Sequence, residues 1–204
     1  MSKVNNILLA GVGGQGILLA SEVISEVMLM AGLDVKKNEI HGMSQRGGSV
    51  VSHVRYGDKV YSSIIPEGEV DILFSFELLE TCRYLPLLRK NGRVVVNDWK
   101  IAPPSVALGK QIYPENLIES IRQQFPATTV VSGLDLALEV GNSKTVNTVL
   151  LGALSNILEF DRELWLTALR KMFPARLLEV NLKAFESGCL IKSSKNFILW
   201  EKYR

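Results

Sequence analysis

Residues 7 to 20 read Ile7-Leu8-Leu9-Ala10-Gly11-Val12-Gly13-Gly14-Gln15-Gly16-Ile17-Leu18-Leu19-Ala20, an apolar run broken by glycines spaced as GxGxxG and resumed at once. A short apolar run bounded by glycines predicts a buried strand, and the following residues predict a helix that starts directly after the turn. Glycines let the backbone adopt positive φ and approach a neighbouring group closely, and a helix N-terminus presents unpaired amides and a positive dipole to an anion. The chain is therefore expected to open with an α/β unit whose strand-turn-helix corner, Gly11, Gly13, Gly14, Gln15 and Gly16, meets a ligand or a partner. A dinucleotide site needs more than this: an acidic residue about 20 positions on, at the end of the second strand, must reach the ribose. Lys36, Lys37, Asn38 and Glu39 stand there. Only Glu39 suits a ribose, and the lysines suit a phosphate-rich ligand.

Working outward, Ile17, Ala20, Ile24, Val27, Met28 and Ala31 share a helical face, and Gly32 ends that helix. Strands are expected at 35–40 and 49–56, with the chain turning at Gly57-Asp58 so that 59–65 forms a hairpin partner. A strand at 71–76, a helix at 77–90, a strand at 93–98, a short strand at 110–113, a helix opening at Pro114-Glu115 and a strand at 128–131 follow. The remainder reads as helices at 134–140, 143–158, 161–172 capped by Asp161, and about 175–187. The class this predicts is α/β: a Rossmann-like doubly wound, mainly parallel sheet with a hairpin and a helical C-terminal part. Residues 1–190 are expected to form a single domain, and 191–204 a tail whose Phe197, Ile198, Leu199 and Trp200 would dock, on a partner among other choices.

Composition narrows the function classes. The chain has 204 residues, 47% of them hydrophobic, enough for a full core. A formal charge of +2 gives no reason to expect nucleic acid or an anionic membrane surface. No apolar run is long enough to span a bilayer and the start lacks a secretory pattern, so a cytoplasmic location is expected. Cys82 and Cys189 belong to no cluster, and His41 and His53 are the only histidines, which disfavours an iron–sulfur or zinc site within this chain.

A second glycine segment, His41-Gly42-Met43-Ser44-Gln45-Arg46-Gly47-Gly48-Ser49, has Met43 as its one apolar residue. Such a stretch is costly to bury unless each polar group finds a partner, so it belongs at a site or an interface. Arg46, Gly47, Gly48 and Ser49 combine a guanidinium with successive amides, a pattern suited to carboxylate or phosphate, with His41 and Gln45 beside it. A solvated connecting loop is the plain alternative. His53 is expected to be structural, and Asn142 and Asn147 to cap a helix or bond within the core.

The two glycine segments, with Val50-Val51-Ser52-His53-Val54-Arg55, Gly141-Asn142 and Asn147, resemble the gamma-type subunits of the 2-oxoacid:ferredoxin oxidoreductases, and most of all those acting on indolepyruvate. The likeness runs from about residue 5 to residue 188, including Asn181-Leu182-Lys183-Ala184-Phe185-Glu186. It implies a subunit of a complex that oxidatively decarboxylates aryl 2-oxoacids, with an acyl group passing to coenzyme A and two electrons to ferredoxin. It also implies that thiamine diphosphate with magnesium and the iron–sulfur clusters sit on a large partner subunit, and that this chain binds no cofactor and is inactive alone. No residue here is assigned a chemical step, and the glycine segments would face coenzyme A or the partner. Two other readings of the same residues are a free-standing NAD- or FAD-binding oxidoreductase using Gly11, Gly13 and Gly16, and a coenzyme A- or nucleotide-binding regulatory module.

Overall fold

The computed structural model describes residues 4–42 and 48–192, apart from the side chain of His41. Six strands, β1 (Val4–Val12), β2 (Asp34–His41), β3 (Ser49–Gly57), β4 (Val70–Ser75), β5 (Leu88–Asn97) and β6 (Thr128–Val131), form one sheet in the order β2-β3-β1-β4-β5-β6. The β1–β4, β4–β5 and β5–β6 pairs are parallel, while β3 runs antiparallel to both its neighbours, β1 and β2. Eight helices complete the described residues: α1 (Ile17–Met30), α2 (Leu78–Tyr84), α3 (Pro104–Ala107), α4 (Leu117–Gln124), α5 (Gly133–Glu139), α6 (Val146–Leu158), α7 (Arg162–Met172) and α8 (Ala175–Cys189). The expected mainly parallel α/β sheet with flanking helices and a helical C-terminal part is what forms, but the expected hairpin of 49–56 with 59–65 does not, because β3 pairs with β1 and β2.

The apolar run that opens β1 explains the layering. Ile7 and Leu9 join the core under α1, α6, α7 and α8, whereas Leu8 and Ala10 join the core under α2 and α4. All four are fully buried. A strand covered on both faces loses the usual polar alternation and reads as continuous hydrophobe, each large side chain contributing about 1.5–3 kcal/mol by leaving water.

Four expectations needed correction. Residues 59–65 are not a strand, because both edges of β3 are already taken by β1 and β2. Side chains hold that segment instead: Val60 N donates to Asp34 Oδ2 (3.0 Å), Ile65 N to His53 Nδ1 (3.2 Å), and Arg55 Nη1 to the carbonyls of Ser62 (3.1 Å) and Ile64 (2.9 Å). His53 is accordingly structural. The helix expected to Lys90 stops at Tyr84; Pro86 lies in a 3-10 turn at Leu85–Leu87, and Leu88 already pairs with Val70 in β5. Asn91, at φ 67°, and Gly92 then form an irregularity inside that strand, which starts before the expected residue 93. Residues 110–113 form no strand, since β6 occupies the free edge of β5, and Lys110 N and Gln111 N fold back onto the Ser105 carbonyl. Finally, α4 starts at Leu117 rather than Pro114, after Asn116 in the left-handed region.

In the helical layer α6 crosses α8 at two glycines. A Cβ on Gly152 would collide with the carbonyl oxygen of Phe185, and one on Gly188 with that of Val149. Backbone thus rests on backbone at this crossing.

Candidate functional site

The glycine corner sits at the C-terminal end of β1, where ligands of open α/β sheets bind. Gln15 braces it: its Oε1 accepts from Val12 N (2.7 Å) and its Nε2 donates to the Phe76 carbonyl (2.9 Å), just beyond the end of β4. Gly11 is required by the same brace, because a Cβ there would lie 2.7 Å from Gln15 Oε1 and 2.9 Å from both Ile17 Cδ1 and Phe76 Cβ. Gly13 N donates to the Gly48 carbonyl (2.9 Å), so the two glycine segments are joined by a backbone hydrogen bond. Gly14 is exposed at φ 100°.

Gly16 is the N-cap of α1 at φ 81°, with no side-chain cap and no acidic residue in the first turn. The first helical bond runs from Ala20 N to Gly16 O (3.0 Å), which leaves the amides of Ile17, Leu18 and Leu19 unused by the helix. A Cβ on Gly16 would lie 2.7 Å from Nδ2 of Asn147, the second residue of α6. The N-terminal end of α1 therefore lies against the first turn of α6.

The second glycine segment is only partly described. His41 ends β2 opposite Val50, and Gly42 N donates to Ser49 O (3.0 Å) where the connection returns to β3. Gln45, Arg46 and Gly47 lie outside the described residues. The Ser49 hydroxyl donates to Glu80 Oε2 (2.6 Å) and lies 3.1 Å from the Tyr84 hydroxyl. Glu80 also pairs with Arg83 Nε (3.2 Å).

Beside it Glu77, 1% exposed, accepts from Glu80 N (2.8 Å), Ile101 N (3.0 Å) and the Tyr113 hydroxyl (2.6 Å). Burial and the Glu77 carboxylate hold the Tyr113 phenol well above its ordinary pKa. Asn97, at the end of β5, donates to the Phe76 carbonyl (3.2 Å) and accepts from Gly133 N (3.1 Å), which ties the sheet to the start of α5. Sequence reasoning missed Glu77, Asn97 and the reach of Asn147. A lone carboxylate directly after a buried strand, and an Asn that ends one, are the signals that could have found the first two.

The sheet order removes the dinucleotide reading. In that fold the acidic residue ends the strand adjacent to β1, but here β3 intervenes and β2 lies two strand spacings away, roughly 10 Å. Glu39 is moreover held by Lys37 Nζ (3.1 Å), which also pairs with Glu22. Among the described residues no group of three or more His, Cys, Asp or Glu could hold a metal ion, and Cys82 and Cys189 are free thiols pushed up by burial. No helix among the described residues is long and apolar enough to cross a membrane.

An uncapped helix start, a brace from the first parallel strand to the second, and an antiparallel strand inserted beside β1 define a Rossmann-like domain with its first helix N-terminus open at the strand ends. Residues 6–191 match the model of the pyruvate ferredoxin/flavodoxin oxidoreductase family, and the chain belongs to that family. It is 39% identical over 201 residues, 96% of this chain and 98% of the relative, to the indolepyruvate oxidoreductase subunit IorB of Pyrococcus horikoshii. Among solved structures it resembles the gamma subunit of a keto/oxoacid ferredoxin oxidoreductase from Geobacter sulfurreducens (26% identity, 90% of this chain and 95% of that one, TM-score 0.65). It shares its fold with part of the 2-oxoglutarate:ferredoxin oxidoreductase of Magnetococcus marinus, determined with 2-oxoglutarate, coenzyme A and succinyl-CoA (21% identity, TM-score 0.74), covering 94% of this chain and 31% of that one. The chain is thus a small-subunit member of the 2-oxoacid:ferredoxin oxidoreductases.

Proposed function

We propose that this chain is the small subunit of a cytoplasmic complex that oxidises indolepyruvate or a related aryl 2-oxoacid. In that reaction the bond between the carboxylate and the oxo carbon breaks to release carbon dioxide. The acyl carbon joins the sulfur of coenzyme A, whose thiol proton is released, and the two electrons pass to ferredoxin. Thiamine diphosphate with magnesium and iron–sulfur clusters, carried by the large subunit, supply the decarboxylation and the electron relay. The residues of this chain do not fit those groups, because its two cysteines are separate and it offers no metal cluster among the described residues.

The observation that carries the reading is near-full-length identity to an indolepyruvate oxidoreductase subunit, combined with an uncapped α1 N-terminus at the strand ends. On that rim Gly14, Gly16 and the amides of Ile17 to Leu19 would bind phosphate groups of coenzyme A. Gln15 and Gly11 would keep the corner in shape. Gly47, Gly48, Arg46, Gln45 and His41 would face coenzyme A or the large subunit, and Ser49 would set the start of β3. Residues 191–204 would dock on the large subunit.

Co-expression with a candidate thiamine and iron–sulfur subunit tests this. A stable complex that reduces ferredoxin with indolepyruvate and coenzyme A, beside an inert isolated chain, is the expected result. Activity of the isolated chain, or failure to form any complex, would overturn it. Stoichiometric NAD or FAD on the purified chain would also overturn it, in favour of a free-standing oxidoreductase.

A further inference from the structure

The sheet ends in two edges. At one, β6 is four residues long; at the other, β2 runs for eight, with β3 on one side and no strand on the other among the described residues. Two backbone bonds fix which groups of β2 are left over. Gly42 N donates to Ser49 O (3.0 Å) in continuation of the β2–β3 register, and hydrogen-bonded pairs of an antiparallel ladder recur every second residue. Ile40, Asn38, Lys36 and Asp34 therefore spend their amides and carbonyls on β3. The bond from Gly13 N to Gly48 O gives the same phase from the other side, with the even-numbered residues of β3 serving β1. The N–H and C=O groups of Val35, Lys37, Glu39 and His41 consequently point out of the sheet edge.

An outward row of this kind templates another strand, and lysine on the edge is a usual deterrent. Here the charges answer one another. Let a second copy of β2 run antiparallel beside the first, related by a two-fold axis through Asn38 normal to the sheet. Lys37 then stands opposite Glu39 of the copy, Lys36 opposite Ile40, and the backbone of Val35 opposite that of His41. Every outward group meets an outward group, as a self-complementary two-fold interface requires. Lys37 and Glu39 lie on the α1 face with 3.1 Å between their charged atoms, so the two copies bring four charges of alternating sign together. The neighbouring symmetric registers instead set Lys37 against Lys37 or Glu39 against Glu39, and like charges directly opposite are destabilising. On the other face Ile40 is exposed, and the Lys36 stem of the copy would cover it. Tyr61, next to the Val60 that bonds Asp34, is exposed as well and adds apolar area at this edge.

We propose that β2 docks on β2 of a second copy of this chain, about a two-fold axis at Asn38, so that one continuous sheet runs through both copies. The proposal goes beyond the proposed function and does not depend on it. Should the complex form, its small subunits would touch in pairs.

The test uses the full chain, alone and assembled with the large subunit. In a pair that is not hydrogen-bonded the Cα atoms lie about 4.5 Å apart, within disulfide reach, so N38C is expected to link to a second copy under mild oxidation. I40C should not link, because four positions along the strand, roughly 13 Å, separate it from its counterpart. Wild type, with Cys82 and Cys189, is the control. In sedimentation velocity K37E and E39K are each expected to weaken dimerisation about tenfold or more, and K37E/E39K, which restores opposite charges in the reverse sense, to recover it to within about threefold. Circular dichroism checks that each variant is folded. A wild-type chain that stays monomeric alone and unpaired in the complex overturns the proposal. So does a dimer that N38C fails to link, or one that folded charge variants leave unchanged. A large subunit seated on β2 overturns it too, whereas failure of any complex to form strikes the proposed function and leaves this pairing standing.

Discussion

Gly152→Ala sets two physical effects against each other, and the structure decides the sign. In an exposed helix interior alanine is favoured over glycine by about 1 kcal/mol, so propensity alone predicts a more stable protein. At Gly152 the added methyl meets the Phe185 carbonyl and the Cys189 amide, both backbone atoms of α8. No rotamer change relieves such a collision, so the two helices must separate. Overpacking of this kind costs about 1–3 kcal/mol, and a rigid backbone contact belongs at the upper end of that range. Setting about 3 against the propensity gain of about 1 leaves a net loss of about 2 kcal/mol. For a chain of this length that is a fall in Tm of about 4–8 °C. Because Thr148 Oγ1 donates to Asn181 Oδ1 (2.7 Å) across the same pair of helices, separation also loosens that bond. Thermal unfolding followed by circular dichroism measures the shift, and Gly188→Ala should behave alike. A rise in Tm for Gly152→Ala would refute the close backbone crossing on which this reasoning depends.

Two further predictions concern single groups. His53 is buried beside Arg55, and burial first and the guanidinium second hold its pKa below the ordinary value near 6.5. The unfolded chain then binds the proton first, so stability present above about pH 6.5 is lost as pH falls through the lower folded pKa. His53→Gln should flatten the dependence of Tm on pH between 7.5 and 5, and an unchanged slope would assign the acid sensitivity elsewhere. Tyr113→Phe removes one of three donors to the buried Glu77 carboxylate, at a cost of about 1–2 kcal/mol. Faster proteolysis between 99 and 116 with α2 intact would accompany it, and a variant as stable as wild type would show that Ile101 and Glu80 amides suffice.

What the sequence disclosed and what it hid separate along the same physical line. Strands covered on both faces, such as Leu8–Ala10 in β1 and Val94–Val96 in β5, carry their burial in their composition and were legible. Helix ends with a capping side chain, Asp161 before α7, were legible as well. The partner of each strand was not. Gly57-Asp58 is a good turn signal, so 59–65 reads as the hairpin partner of β3, yet the chain there is only tethered by Asp34, His53 and Arg55 side chains. The true partner, β2, is joined to β3 through the seven positions from 42 to 48, all polar or glycine except Met43, which contain no two-residue hairpin turn.

That pairing governs the meaning of the glycine corner. With β2 beside β1, Glu39 would stand where a ribose binds, and the corner would be a dinucleotide site. With β3 inserted, Gly48 rather than an acidic residue reaches the corner, through its carbonyl on Gly13 N, and Asn147 of α6, in the same helical layer as α1, lies against Gly16. The same six residues, Gly11 to Gly16, would thus suit different ligands according to a strand order that no local pattern encodes. The second glycine segment separates the two cases because the strands on either side of it, β2 and β3, run antiparallel, which puts β3 and not the Glu39-bearing β2 beside β1.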